Sequence, residues 1–191
     1  MFAASRIGFI FFVNRGWAPL PWLLLFLLLP ERSPHFFLTG IGLLFMLLGE
    51  MTRIWAVGYA GGITRTRQME SGERLITVGP YCHVRNPLYI GNMLLYAGVG
   101  FLFGNLPLTA FALCFFMFQY HFIVEYEEGL LSKKFGEAYR QYALKVSRWV
   151  PLLSSKIQSQ SLPFSLSEAL ISEKNTLVAI ASVLCLWIFS L

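Results

Sequence analysis

Residues 86–124 read NPLYIGNMLLYAGVGFLFGNLPLTAFALCFFMFQYHFIV, thirty-nine positions without a Lys, Arg, Glu or Asp. As one straight helix this stretch would reach roughly 58 Å, nearly twice the ~30 Å hydrocarbon thickness of a bilayer. It must therefore fold back. Gly104-Asn105-Leu106-Pro107, a cluster of turn formers near its centre, marks the break. The two arms are nearly equal, so the hairpin returns Glu125–Glu128 to the face from which Arg85-Asn86 departs.

The rest of the chain agrees with a membrane origin. Of 191 residues, 56% are hydrophobic and 13% charged, and the mean hydropathy is +0.60. So few charges exclude a water-soluble domain, a disordered chain and a coiled coil. The sequence has ten Glu, no Asp and fifteen Lys or Arg, a formal charge of +5. In a membrane chain that excess reports orientation rather than nucleic-acid binding. Cys82, Cys114 and Cys185 have no disulfide or metal spacing, and Cys114 and Cys185, in apolar runs, read as reduced, buried thiols. Residues 1–30 make a poor cleaved leader, because Asn14-Arg15 interrupts the apolar run and Pro30-Glu31-Arg32 is no cleavage site.

Further spans are expected at 36–57, with Glu50 and Arg53 near its end, at 16–30, and at 175–191. The 16–30 span borrows from 7–13 across a break at Asn14-Arg15-Gly16. With the hairpin this predicts an all-α polytopic membrane protein of about five transmembrane helices. Arg65, Arg67, Arg74 and Arg85 lie between two spans, and Lys133, Lys134, Arg140, Lys145, Arg148 and Lys156 follow the hairpin. The opposite connections hold only Arg32. Both basic segments are therefore expected at the cytoplasmic face, with the N-terminus inside. The expected organisation is a membrane domain over 1–151 with a motif-bearing core at 79–151 and a short cytoplasmic C-terminal helical segment. A linker and interfacial segment at 152–174 and an additional helix at 175–191 follow.

Chemistry-bearing residues gather at the hairpin's ends. Asn86-Pro87 is a helix start, since Asn is a favoured N-cap and Pro a favoured first residue. Its free N–H groups suit a carboxylate or phosphate, the alternative being a well-capped helix with Arg85 at headgroup level. His121, Glu125 and Glu128 share one helical stripe, and Glu127 lies on the next with Tyr120 and Val124. Acidic residues at an inner-face helix end need a cation partner or a ligand, or else they mark emergence into the cytosol. Nothing completes a ligand set there, so no metal site is expected. Phe135, Tyr139 and Tyr142 form an aromatic stripe suited to packing or to the wall of a flat ring. Gly98-Val99-Gly100 reads as close helix packing, with backbone approach by a ligand as the alternative.

Taken together, Gly79-Pro80-Tyr81, Arg85-Asn86-Pro87-Leu88-Tyr89-Ile90-Gly91, Glu127-Glu128, Phe135-Gly136, Tyr139, Tyr142, Arg148 and Pro151 form an ordered set. It resembles the membrane methyltransferase superfamily that includes isoprenylcysteine carboxyl methyltransferases and phospholipid N-methyltransferases. Residues 1–75 match only as hydrophobic spans. The resemblance implies S-adenosylmethionine as methyl donor and a lipophilic acceptor entering from the bilayer. It assigns donor binding to Tyr81, His83, Val84, Arg85, Asn86, Pro87, Tyr89, Gly98, Gly100, Glu127, Glu128, Tyr139 and Tyr142. Within that set Arg85 or the helix start takes the donor's carboxylate, Glu127 or Glu128 its ammonium or ribose, and Tyr139 and Tyr142 its adenine. For a carboxylate acceptor no base is required, and Arg148 or Arg85 orients it. For an amine acceptor, Glu125 or His83 takes the proton. Many relatives carry His where this chain has Asn86, which puts proton transfer at that position in doubt, and the tail after Pro151 exceeds the core pattern. A reductase of the sterol type using NADPH, and a non-enzymatic membrane scaffold, are the alternatives.

Overall fold

A computed structural model describes residues 2–29, 36–60, 74–152 and 162–190. Arg32, Arg65, Arg67 and Lys156, used above for orientation, and residues 153–161 of the expected linker lie outside the described residues.

The described chain is helical: α1 (Phe2–Asn14), α2 (Pro19–Leu28), α3 (Phe36–Ala60), α4 (Pro87–Phe103), α5 (Leu106–Phe135), α6 (Glu137–Lys145) and α7 (Leu166–Ser190). A single 3₁₀ turn at Gly79–Cys82 precedes α4. The expected break near Arg15 separates α1 from α2, whose axes differ by 61°. The expected hairpin joins α4 to α5. Gly104 adopts φ 76° and ends α4, a conformation that costs glycine nothing. Asn105 caps α5 by accepting the Leu108 amide at 3.0 Å, while its Nδ2 donates to the Leu29 carbonyl at 2.9 Å, tying the end of α2 to the turn.

Three helices, α3, α5 and α7, are long and apolar enough to cross a membrane, or four spans if the bent α1–α2 pair counts as one. α4 has 17 residues, short of the ~20 a perpendicular span needs. The five expected apolar segments all appear as helices, but length and composition support three to four crossings rather than five. The hairpin arms are also unequal. α5 continues for 30 residues, past Glu125, and ends on Lys133 and Lys134, where cations suit the helix dipole. Glu127 and Glu128 thus stand within a helix rather than at its end, so the dipole argument does not apply to them.

α3 and α4 run antiparallel along a seam of glycines. A Cβ placed on Gly42 would come within 2.8 Å of the Gly98 carbonyl oxygen, and one on Gly49 within 2.8 Å of that of Gly91. The reciprocal distances are the same. Such close approach lets backbones pack where lipid offers no hydrophobic drive between helices. Across α4, Gly100 faces Thr109 of α5. The α1 helix lies on α5, with Gly8 against the Phe122 carbonyl and Phe12 against Tyr126.

The C-terminal helix starts earlier than its uncharged stretch suggests. Ser165 donates its amide to the Gly58 carbonyl at 2.9 Å, Phe164 packs on Tyr59, and α7 then runs unbroken from Leu166. Residues 166–174, expected as interfacial, therefore belong to this helix. Glu173 is fully buried, held by Arg53 of α3 at 2.7 Å. Arg53 also donates to Thr176 at 3.2 Å and to Asn92, and its Nε stands 3.6 Å from Glu50. This polar cluster fixes α7 to α3 and α4.

Candidate active site

After α6 the chain turns back and pairs its backbone with the segment leading into α4. Arg85 donates its amide to the Ser147 carbonyl at 2.9 Å, and Leu152 donates its own to His83 at 2.9 Å. The His83 ring returns the contact, Nδ1 donating to the Leu152 carbonyl at 2.7 Å, which places the proton on Nδ1. Asn86 accepts the Tyr89 amide through its backbone oxygen, as a helix start should. Its side chain does not cap. Instead Nδ2 donates to the Arg148 carbonyl at 3.2 Å. His83 and Asn86 thus hold a strap, residues 146–152, across the end of α4.

Between α6, residues 74–76, the start of α4 and the C-terminal part of α5 lies a cleft, about 980 Å³ counted together with the part open to the outside. Its wall contains Tyr81, Arg85, Asn86, Pro87, Tyr89, Glu127, Tyr139 and Tyr142, all expected as donor-binding residues. Ala60, Arg74, Leu75, Ile76, Leu88, Leu131 and Phe135 complete it.

Charges in and behind the wall are sorted into pairs. Arg148 forks onto Glu128 at 2.6 and 3.2 Å, and Arg85 Nε stands 3.5 Å from the same carboxylate. Glu127 accepts from Arg15 Nη1 at 2.9 Å. That nitrogen also lies 3.3 Å from the Tyr89 hydroxyl. Three buried polar atoms of the wall have no hydrogen-bond partner: the Tyr81 hydroxyl, the Tyr139 hydroxyl and Arg85 Nε. Buried polar groups are seldom left so; the three residues all line the cleft, where Arg85 lies beside the Tyr139 hydroxyl. Tyr142 donates to the Tyr81 carbonyl at 2.8 Å, and the Tyr139 and Tyr142 rings lie 6.0 Å apart.

Burial pushes the phenols of Tyr81, Tyr139 and Tyr142 upward, reinforced at Tyr81 by the Glu127 charge and at Tyr139 by that of Glu128. All three are neutral donors at physiological pH. The wall therefore offers guanidinium, one carboxylate, free hydroxyls and flat rings, a complement to a ligand bearing a carboxylate, an ammonium, hydroxyls and a heteroaromatic ring.

Other expected site residues lie elsewhere. Glu125 and His121 are exposed whereas Glu127 and Glu128 are buried, so the stripe expected to join His121, Glu125 and Glu128 is divided, with Glu128 about 60° further round α5 on the packed side. Glu125 is thus not positioned as a base for the cleft. His83 and Val84 belong to the strap contact, the latter through its bridge to Ser147. Arg148 and Glu128 stand behind the wall rather than in it. Gly98 and Gly100 are spent on helix contacts, where space rather than ligand approach explains them. Sequence reasoning did not single out Arg15, which pairs with Glu127 of the wall. Its signal was a lone cation within an apolar run, which in a membrane chain marks a functional position by default.

Comparisons with known proteins give one matching family and relatives mostly named for methyl transfer. Residues 37–138 match the phospholipid methyltransferase family. A probable protein-S-isoprenylcysteine O-methyltransferase of Oryza sativa subsp. indica is 34% identical over 131 residues, covering 66% of this chain and 68% of that protein. Protein-S-isoprenylcysteine O-methyltransferase B of Arabidopsis thaliana is 31% identical over 132 residues, with 65% of each chain covered. The nickel-cobalt-cadmium resistance protein NccN of Alcaligenes xylosoxydans xylosoxydans is 30% identical over 117 residues, covering 61% of this chain and 51% of that protein. No solved structure matches. With more than half of its length inside the matched family and a methyl-transfer name on relatives 31–34% identical to it, this multi-pass membrane chain belongs to the phospholipid methyltransferase family and is a methyltransferase.

Proposed function

We propose that the protein transfers a methyl group from S-adenosylmethionine to the carboxylate of a lipophilic, membrane-borne acceptor of the S-prenylcysteine type. One observation carries the choice of acceptor: among the described residues the cleft wall holds two arginines, Arg74 and Arg85, and no uncommitted base. Its carboxylate, Glu127, is engaged by Arg15, and its tyrosines hold their protons. An amine acceptor must lose a proton, and nothing in that wall is free to take it. A carboxylate arrives already charged and needs only a cation to orient it. The rice and Arabidopsis relatives, named as isoprenylcysteine O-methyltransferases, support the same acceptor class. With the family established, the reductase and scaffold readings lapse.

Bound in this cleft, S-adenosylmethionine supplies an electrophilic methyl carbon for a single in-line displacement, which depends on alignment and desolvation. The chain's own residues provide that alignment. Two carboxylates, the donor's and the acceptor's, call for two cations, and Arg85 and Arg74 supply them. Glu127 takes the donor's ammonium. Tyr81 and Tyr139 offer their free hydroxyls to its ribose, and the Tyr139–Tyr142 pair stacks its ring. Arg148 neutralises Glu128, leaving Arg85 free to turn toward the cleft. Leu75, Ile76, Leu131 and Phe135 exclude water. Leu131, Phe135, Tyr139 and Tyr142 of the wall share a stretch of chain with Lys133, Lys134 and Arg140, which supports a cytoplasmic active site.

The test is incubation of the full chain in lipid nanodiscs with methyl-labelled donor and two acceptors, an S-farnesylated cysteine with a free carboxylate and phosphatidylethanolamine. Label released by mild base from the first marks an ester and supports the reading. Base-stable label on the second replaces it with N-methylation.

A further inference from the structure

We infer that Arg15 is a positioning residue of the donor site, holding the Glu127 carboxylate on the cleft wall from the break between α1 and α2. The inference rests on reading the cleft as the donor site. It makes the N-terminal helix pair a working part of that site rather than an anchor.

Arg15 stands between two apolar helices, and a long cation so placed ordinarily snorkels toward headgroups. Here it turns inward. Its guanidinium lies over the Phe12 ring, 4.2 Å from the centroid, and reaches Glu127, 112 residues away, at 2.9 Å. The 61° bend between α1 and α2 makes this reach possible, since a continuous helix would carry position 15 along the surface of α5. Both partners of Arg15 Nη1, Glu127 and Tyr89, line the cleft, whereas Arg15 does not. It acts through them.

Glu127 has need of such a partner. It is almost buried, and Arg148 is already committed to the neighbouring carboxylate, Glu128. Two adjacent acids in one low-dielectric place repel unless each has a cation. The stretch matching the family begins at residue 37, so this cation comes from a part of the chain outside the match.

The experiment measures binding of S-adenosylhomocysteine by calorimetry to the full chain in nanodiscs, for wild type, Arg15→Met, Arg15→Lys, Glu127→Gln and the Arg15→Met/Glu127→Gln double variant. Arg15→Met should weaken binding about tenfold or more, and Arg15→Lys should restore most of that loss. The double variant should bind no worse than Glu127→Gln alone, because both changes remove one contact. In turnover, the donor KM of Arg15→Met should rise by the same factor while kcat at saturating donor stays within about twofold. Wild-type affinity in Arg15→Met, or losses that multiply in the double variant, would overturn the inference. If Arg15→Met does not fold, Arg15→Gln against Arg15→Lys makes the comparison, and equal affinity of the two overturns it. Failure of wild type itself to bind S-adenosylhomocysteine refutes the donor site, and this role with it.

Discussion

Arg148 grips Glu128 with both faces of its fork, Nη2 at 2.6 Å from Oε2 and Nε at 3.2 Å from Oε1. The pair joins the strap after α6 to the middle of α5. It also decides where Arg85 can look, because a Glu128 left without Arg148 would draw in the guanidinium 3.5 Å away. Arg148→Lys keeps the charge but cannot form the fork. We expect it to destabilise the protein by about 1–2 kcal/mol, a discount for the partial exposure of Arg148, and to weaken donor binding as Arg85 turns away. Thermal unfolding in detergent and homocysteine-product calorimetry check the two effects. Full donor affinity in this variant would disconnect Arg148 from the site.

Gly98 carries two opposed readings that one substitution separates. A Cβ there meets Met46 and the Gly42 carbonyl of α3. Gly98→Ala should therefore cost about 1–3 kcal/mol as overpacking, while protein that folds binds donor as wild type does. Lost affinity at unchanged stability would return Gly98 to the donor site.

The C-terminal helix gives a third test. Arg53→Met removes the cation between Glu173 and Glu50, and breaking a buried pair from one side costs about 3–5 kcal/mol. Glu173→Gln, which keeps hydrogen-bonding capacity, should cost less. Removal of residues 162–191 should lower the melting temperature of what remains, since α7 covers α3. A truncated chain as stable as the whole would show α7 to be a separable addition.

Alkaline pH supplies a fourth. Tyr81, Tyr139 and Tyr142 are held protonated by burial in the folded state. Their contribution to stability is complete below the unfolded phenol value of about 10. Above it the unfolded chain sheds protons that the fold keeps, so stability falls as pH rises, by up to about 1.4 kcal/mol per pH unit for each group. Phenolate absorbance of these groups should therefore appear with unfolding rather than before it. Tyr139→Phe should flatten the decline, and an unchanged slope would remove Tyr139 from the account.

Local features were readable in the sequence, and relations between helices were not. The turn at Gly104-Asn105, the start at Asn86-Pro87 and the break beside Arg15 are each written in a few adjacent residues whose backbone preferences are strong. The side-chain duty of Asn86, the exposure of Glu125 and the grip of Arg15 on Glu127 depend on how helices are rotated against one another, which no single segment encodes. α7 shows the same limit. Glu168, Glu173 and Lys174 look interfacial by charge, and it takes Arg53, 120 residues earlier, to pair with Glu173 inside. The start of α7 was therefore misplaced for want of its partner.

The glycine seam bears on more than packing. Gly42 and Gly49 are seven residues apart on α3, as are Gly91 and Gly98 on α4, and each meets its opposite across the pair. Sliding one helix by a single residue would move it about 1.5 Å and turn it about 100°, driving side chains into carbonyls at all four places. The two helices thus have one permitted setting, like a key with its notches cut. That setting fixes the height at which Arg85, just ahead of α4, stands relative to Ala60 at the end of α3. These four glycines thereby set the level of the cleft's Arg85 against the end of α3.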